Sequence, residues 1–220
     1  MSSARDEILA QIRAALRDVP PDERPEDVSV PRDYLEQEPD ATVERFVERV
    51  TDYGASVRTV AAAELASAVG EACREADVVR IVVPRDVPAE WVPPSIEVLT
   101  DAPLAAAELD RIGAALTGCA LAIADTGTIV FDGGAYQGRR LLTLVPDVHV
   151  CVVREEQVID GVPAAIRRIA AGVRTARRPV TFVSGPSATS DIEFSRVEGV
   201  HGPRRLALIV VRSCPAFDSS

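Results

Sequence analysis

Three stretches of the chain gather side chains able to do chemistry. In Asp125-Thr126-Gly127-Thr128 a carboxylate sits next to two hydroxyls. Asp125 is a candidate catalytic base or nucleophile, its strength set by burial; equally, Asp and Gly are ordinary turn residues. In Gln137-Gly138-Arg139-Arg140 two guanidinium groups adjoin bare glycine backbone. At the start of a helix that makes an anion cradle, and guanidinium recognises carboxylate or phosphate bidentately. Adjacent helical residues point about 100° apart, so one arginine faces a site and the other faces solvent or an acid. Further on, Ser184, Gly185, Ser187, Thr189 and Asp191 form a hydroxyl-rich loop, and His201 stands in a second loop with Gly199 and Gly202. Loops at the carboxyl ends of strands are where open α/β sheets hold ligands. Ser190 and Glu193 have capping-box spacing, which needs no ligand. Asp147, His149 and Cys151 alternate along one strand and share a face. Neighbours of that kind lie about 7 Å apart, too far for a nucleophile relay. A histidine satisfied inside the sheet is the better reading.

The elements that must position these groups follow from hydrophobic period and punctuation. The apolar run from residue 118 breaks at Asp125, and a second run covers residues 129–131, so the region reads as strand, tight turn, strand, with Gly127 supplying a positive φ. Residues 132–134 form a bend, after which a helix opens through Leu141, Leu142 and Leu144. Upstream, helices are predicted near 43–50, 61–76 and 104–109, and strands at 56–60, 78–83 and 96–99. Downstream come strands at 148–153, 180–183 and 206–211 and a helix at 163–171. Short apolar strands separated by helices imply an α/β sandwich around a mostly parallel sheet. Residues 1–40 read as a helix through Ile8, Ile12 and Leu16 followed by a proline-rich acidic arm. That helix is a flap on the body or a partner contact. Residues 41–213 form the main domain and 214–220 a tail.

Bulk properties exclude several classes. Residues 1–50 hold 13 acids against 7 arginines, and residues 137–205 hold 11 arginines against 7 acids. With a net charge of −10, general attraction to nucleic acid or anionic lipid is not expected. The later half is suited to a small anion. Lysine is absent, which excludes a Schiff-base or phosphate-loop lysine. Cys73, Cys119, Cys151 and Cys214 lack Cys-x-x-Cys spacing, so no metal or iron–sulfur cluster is expected on this chain and the thiols read as core hydrophobes. Without a signal sequence or membrane span, a cytoplasmic location is expected.

Ile123-Ala-Asp-Thr-Gly-Thr-Ile-Val130, Gln137-Gly-Arg-Arg140, Ser184-Gly-Pro-Ser187 with Asp191-Ile-Glu193, and His201-Gly-Pro203 together resemble the lactate utilization protein C family, the LUD domain. Where the family usually has Glu before Thr-Gly-Thr, this chain has Asp125, one methylene shorter. The resemblance implies a three-layer α/β/α sandwich similar to the sugar-phosphate isomerase and coenzyme A transferase superfamily. It also implies participation in oxidising L-lactate to pyruvate with two iron–sulfur partner subunits. On this expectation Asp125 is catalytic. The small anion is bound by Thr126, Gly127, Thr128, Gln137, Gly138, Arg139, Arg140, Ser184, Gly185, Ser187, Thr189, Asp191 and His201, gathered at one rim. A free-standing transferase or isomerase and a non-catalytic scaffold are the alternatives.

Overall fold

The computed structural model describes residues 4–20, 22–24, 27, 29, 42–189, 197–198 and 201–213. The chain divides into two units, Met1–Glu36 and Gln37–Ser220. The first contains helix α1 (Ala4–Ala15), with Asp6 and Glu7 in its first turn and Arg13 in its last, each favourable to the helix dipole.

The second unit is built on a six-stranded sheet in the order β1-β12-β7-β4-β2-β3, every neighbouring pair parallel. Its strands are β1 (Ser56–Ala61), β2 (Arg80–Val83), β3 (Glu97–Thr100), β4 (Ala114–Gly118), β7 (Val148–Arg154) and β12 (Arg205–Arg212). β2, β7 and β12 are near-continuous apolar runs rich in branched residues, as burial on both faces requires. Val148, Val150, Val152, Ala207 and Ile209 point to one face, where α3 (Leu65–Glu75) buries Leu65, Val69, Ala72 and Cys73 on them. Cys151, Val153, Leu206, Leu208 and Val210 point to the other.

That second face is covered by α2 (Val43–Asp52) and by a smaller sheet. In α2, Val43, Phe46 and Val50 recur at helical spacing and are buried, and Thr42 caps the helix by accepting a hydrogen bond from the Arg45 amide at 3.1 Å. Arg212 of β12 ties α2 down by pairing with Glu44 and, at 3.0 Å, with Glu155. The smaller sheet has the order β8-β5-β6-β9, formed by β5 (Leu121–Ile123), β6 (Thr128–Phe131), β8 (Val158–Ile159) and β9 (Thr181–Val183). Its inner face contributes Ala122, Ile129 and Phe131 to the core under α2. Its outer face, with Leu121, Ile123 and Val130, is covered by Ala165 and Ile169 of α5 (Val162–Ala176). The short α4 (Ala106–Asp110) and strands β10 (Ala188–Thr189) and β11 (Val197–Glu198) complete the elements.

The fold class is the expected one, α/β around a mostly parallel sheet with helices. Three local expectations are corrected. The run from 118 is not one hairpin strand: it divides at Cys119 and Ala120, with β4 in the large sheet and β5 in the small one. The helix expected after Gly138 is only a 3-10 turn, Arg140–Thr143, too short to present a helix N-terminus. Strand 180–183 pairs antiparallel with β6 rather than joining the parallel sheet. Ser190 and Glu193, with their capping-box spacing, lie outside the described residues. Among the described residues no helix is long and apolar enough to cross a membrane.

His149 is satisfied inside the sheet as expected. Its Nε2 lies 2.8 Å from Thr117 Oγ1, and its ring lies 5.5 Å from that of Phe131. Asp147 precedes the strand, is exposed and pairs with Arg204 at 3.6 Å, so no triad forms. Cys73, Cys119 and Cys151 are free and buried. Burial pushes the Cys73 thiol up to about 11, consistent with an inert core residue.

Two predictions follow from these contacts. Burial lowers the His149 pKa from 6.5 to about 4. Between those values the unfolded chain binds a proton that the native chain refuses, so stability falls as pH drops through that window, by about 3 kcal/mol. Urea unfolding of wild type and His149→Phe from pH 7 to 4 should show a flatter loss in the variant; parallel curves would contradict this. Gly127 has φ +58°, and a Cβ there would sit 2.5 Å from the Val50 amide nitrogen and 2.6 Å from the Arg49 carbonyl carbon. Gly127→Ala should therefore lose at least about 2 kcal/mol in the same measurement.

Candidate functional site

The chemistry-bearing residues fall into two groups at opposite ends of β6, separated by about 10 Å of strand. The expectation that they share one rim is thereby corrected. Strands β5 and β6 pair antiparallel with Ile123 opposite Thr128, which puts Asp125, Thr126 and Gly127 at the tip. The tip rests on the backbone of α2 at Gly127, and Arg45 of α2 pairs with the half-exposed Asp125. The Asp125 amide donates to the Asp160 carbonyl at 3.0 Å. Thr128 is buried. Its hydroxyl lies 2.7 Å from Thr126 Oγ1 and 2.8 Å from Ser184 Oγ, so three hydroxyls form a chain beneath the tip. Gly185, at φ +124°, abuts Tyr53 just beyond α2. The Ser187 amide donates to the Pro203 carbonyl at 2.8 Å, and Ser187 Oγ accepts from the His201 amide at 3.2 Å. Asp125, Thr126, Thr128, Ser184, Gly185, Ser187 and His201 thus hold hairpin, loop and helix to one another. Asp125 is neutralised by Arg45 and shares its surroundings with hydroxyls rather than with the paired arginines. Thr189 belongs to β10, and Asp191 lies outside the described residues.

At the other end, β6 finishes at Phe131 and the chain bends. Gln137 is buried and spends its whole amide on that bend. Its Oε1 accepts from the amides of Asp132 at 2.8 Å and Gly133 at 3.0 Å, while its Nε2 donates to Asp132 Oδ1 at 2.9 Å. The following segment crosses the carboxyl ends of the large sheet. The Tyr136 carbonyl accepts from the Gly118 amide at 2.8 Å, and the Tyr136 amide donates to Asp86 Oδ2 at 2.7 Å. Gly138, at φ +63°, fits where a Cβ would come within 2.7 Å of Leu142 and 3.0 Å of Pro84.

The two adjacent arginines have different roles. Arg139 grips Asp101 bidentately, Nε to Oδ2 at 2.7 Å and Nη2 to Oδ1 at 2.8 Å, and also bonds the Leu104 carbonyl. Its guanidinium holds the Asp101 carboxyl below the usual carboxylate range. Arg140 has no ion-pair partner among the described residues. It helps to line a cavity of about 250 Å³, with Phe131, Arg139, Thr143, Arg178 and Thr181 also in the wall. Among the described residues the wall contains no Asp or Glu. Arg178 donates to the Gly133 carbonyl at 2.8 Å and stays 4.0 Å from Asp132 Oδ2, leaving donors to spare. Arg140 and Arg178 therefore bring positive charge to an apolar recess, and the Asp132 carboxylate beside Arg178 takes Gln137 and the Gly134 amide on its Oδ1.

Sequence reasoning found Gln137, Gly138, Arg139 and Arg140 but missed Phe131, Thr143, Arg178 and Thr181. The missing signal was the antiparallel pairing of Phe131 with Thr181, which carries Arg178 over the bend.

Comparison with known proteins agrees with this architecture. The LUD domain profile matches residues 43–211. Lactate utilization protein C of Deinococcus radiodurans is 54% identical over 168 residues, covering 76% of this chain and 78% of that protein. Lactate utilization protein C of Shouchella clausii is 32% identical over 107 residues, covering 48% of this chain and 45% of that one. A crystal structure of a DUF162 family protein from Deinococcus radiodurans superposes with a TM-score of 0.67 at 46% identity, covering 77% of this chain and 95% of that one. The profile match spans both the parallel sheet and the hairpin with its two polar ends, and on that evidence the chain belongs to the LUD domain family.

Proposed function

We propose that this chain is a cytoplasmic subunit of a lactate utilization system that oxidises L-lactate to pyruvate together with iron–sulfur partner subunits, and that its own contribution is to bind a small anion. The name of the Deinococcus relative, lactate utilization protein C, supports the system. The observation that carries the binding role is the recess between Arg140 and Arg178. Two guanidinium groups hold a carboxylate or phosphate through charge-assisted hydrogen bonds, and the Thr143 and Thr181 hydroxyls offer a second polar contact. Phe131 supplies an apolar wall for a short carbon chain.

Volume decides between ligand classes. About 250 Å³ is smaller than the ~300–1,000 Å³ usual for pockets holding drug-sized molecules. A three-carbon acid or inorganic phosphate fits within it. In this reading Arg139 is a positioning residue: its grip on Asp101 fixes the backbone from which Arg140 projects. Asp125 plays no part at the anion, because it sits at the other end of the hairpin under Arg45. The electrons of lactate oxidation leave through the iron–sulfur partners.

Calorimetric titration with L-lactate, pyruvate and inorganic phosphate distinguishes carboxylate from phosphate as the ligand. Arg140→Gln and Arg178→Gln should each weaken binding by about tenfold or more, the worth of one charge-assisted contact, without lowering the melting temperature. Equal affinity in wild type and both variants would sink the site. Arg139→Ala should instead cost about 2 kcal/mol of stability, because it strips the partner from the nearly buried Asp101 carboxylate. Tagged chain isolated from lactate-grown cells should bring down iron–sulfur proteins; clean recovery of this chain alone would remove the subunit assignment.

A further inference from the structure

A second cavity, of about 310 Å³, lies on the opposite side of the bend after β6. Gly133 faces the arginine recess, whereas Asp132 and Gly134 line this second space; Gln137 borders both. It stands at the carboxyl ends of two adjacent parallel strands, β4 and β7, beside Cys119 and Arg154. That end of a parallel sheet is where α/β proteins hold ligands. No role proposed above uses it.

The lining is divided by chemistry. One part is apolar and smooth: Ile169 and Gly172 on α5, Ala120 and Leu121, and Tyr136. Gly172 is exposed and has no heavy atom within 4 Å of where its Cβ would be, so the mouth of the cavity is open over that turn of the helix. The other part is cationic. Among the described residues the Arg168 side chain has no ion pair or hydrogen bond, and the Arg154 guanidinium pairs with Glu156 at 3.2 Å. The other polar groups of the wall have partners: Gln157 Nε2 donates to the Cys119 carbonyl at 2.7 Å and its Oε1 accepts from the Arg154 amide at 2.8 Å, while the Asp132 carboxylate accepts from Gln137 Nε2 and the Gly134 amide on Oδ1 and lies 4.0 Å from Arg178 through Oδ2.

Tyr136 is the second observation. It adopts φ +63°, an outlier for a bulky residue, and is held there from three directions. Its amide bonds Asp86, its carbonyl bonds Gly118, and its ring packs 5.2 Å from that of Trp91. Backbone strain over-determined by its neighbours collects at binding sites.

We infer that this cavity binds an amphipathic aromatic anion, its ring against Tyr136, Ile169 and Gly172 and its acid group on Arg154 and Arg168. A bare inorganic anion would leave the apolar floor uncovered, and a neutral ring would make no use of the Arg154 and Arg168 charges. The assignment is independent of what occupies the Arg140 recess.

The probe is anilinonaphthalene sulfonate, titrated into the full chain and followed by fluorescence. Saturable one-to-one binding is expected, displaced by naphthoate and not by inorganic phosphate. Gly172→Leu fills the open room on an exposed helical turn, and Arg168→Gln removes the charge; each should weaken the probe by about tenfold or more. Arg140→Gln should leave probe affinity unchanged, which separates this site from the first. Unchanged melting curves show that both variants fold. Binding that is absent, unsaturable, or unaffected by either variant overturns the assignment.

Discussion

The Tyr136–Arg139 segment and the groups that pin it are what the rest of the site depends on. In the large sheet the chain leaves β2 toward β3 on one side, and leaves β4 toward the small sheet and β7 on the other. The carboxyl ends of β2 and β4 therefore flank a topological switch point, the crevice where open α/β sheets ordinarily take their ligand. Here that crevice is filled by the chain itself. Tyr136 bonds to Gly118 and Asp86, Gly138 fits against Pro84, and Arg139 closes the segment onto Asp101 and Leu104. With the usual crevice filled, the spaces left for ligands are displaced to either side of the bend that precedes the plug.

This plug also explains why two neighbouring arginines are not equivalent. Arg139 is part-buried and satisfied by a carboxylate and a carbonyl, so it contributes rigidity. Arg140, one residue on, begins the 3-10 turn and keeps its charge available. Sequence alone predicts that one of the pair faces a site and the other faces solvent or an acid. It does not say which, because Asp101 is 38 residues away and reaches Arg139 only through the parallel pairing of β2 with β3.

Much of the framework was legible. The branched apolar runs of β7 and β12 signalled burial on both faces, Gly127 signalled a positive φ, and His149 inside a strand signalled a core residue. Two features were not legible, for physical reasons. Residues 118–124 are a continuous apolar run, and nothing in hydrophobicity marks the change from one sheet to the other at Cys119 and Ala120, where Gln157 from a distant turn holds the crossing. Nor does a strand's composition reveal its partner: 180–183 looks like any buried strand, yet its antiparallel pairing with β6 is what brings Arg178 to the cavity. Asp125 drew attention by residue type, but its fate was decided by Arg45 on α2, 80 residues earlier.

A chain of net charge −10 repels anions at long range, so a captured anion must be held by positive charge concentrated locally at a recess. Anomalous diffraction from a crystal soaked in bromide tests that claim most directly. The account predicts a bromide peak between the Arg140 and Arg178 guanidinium groups and none at Arg139, whose charge is paired with Asp101. Bromide ordered elsewhere on the molecule with no peak in that recess would contradict it.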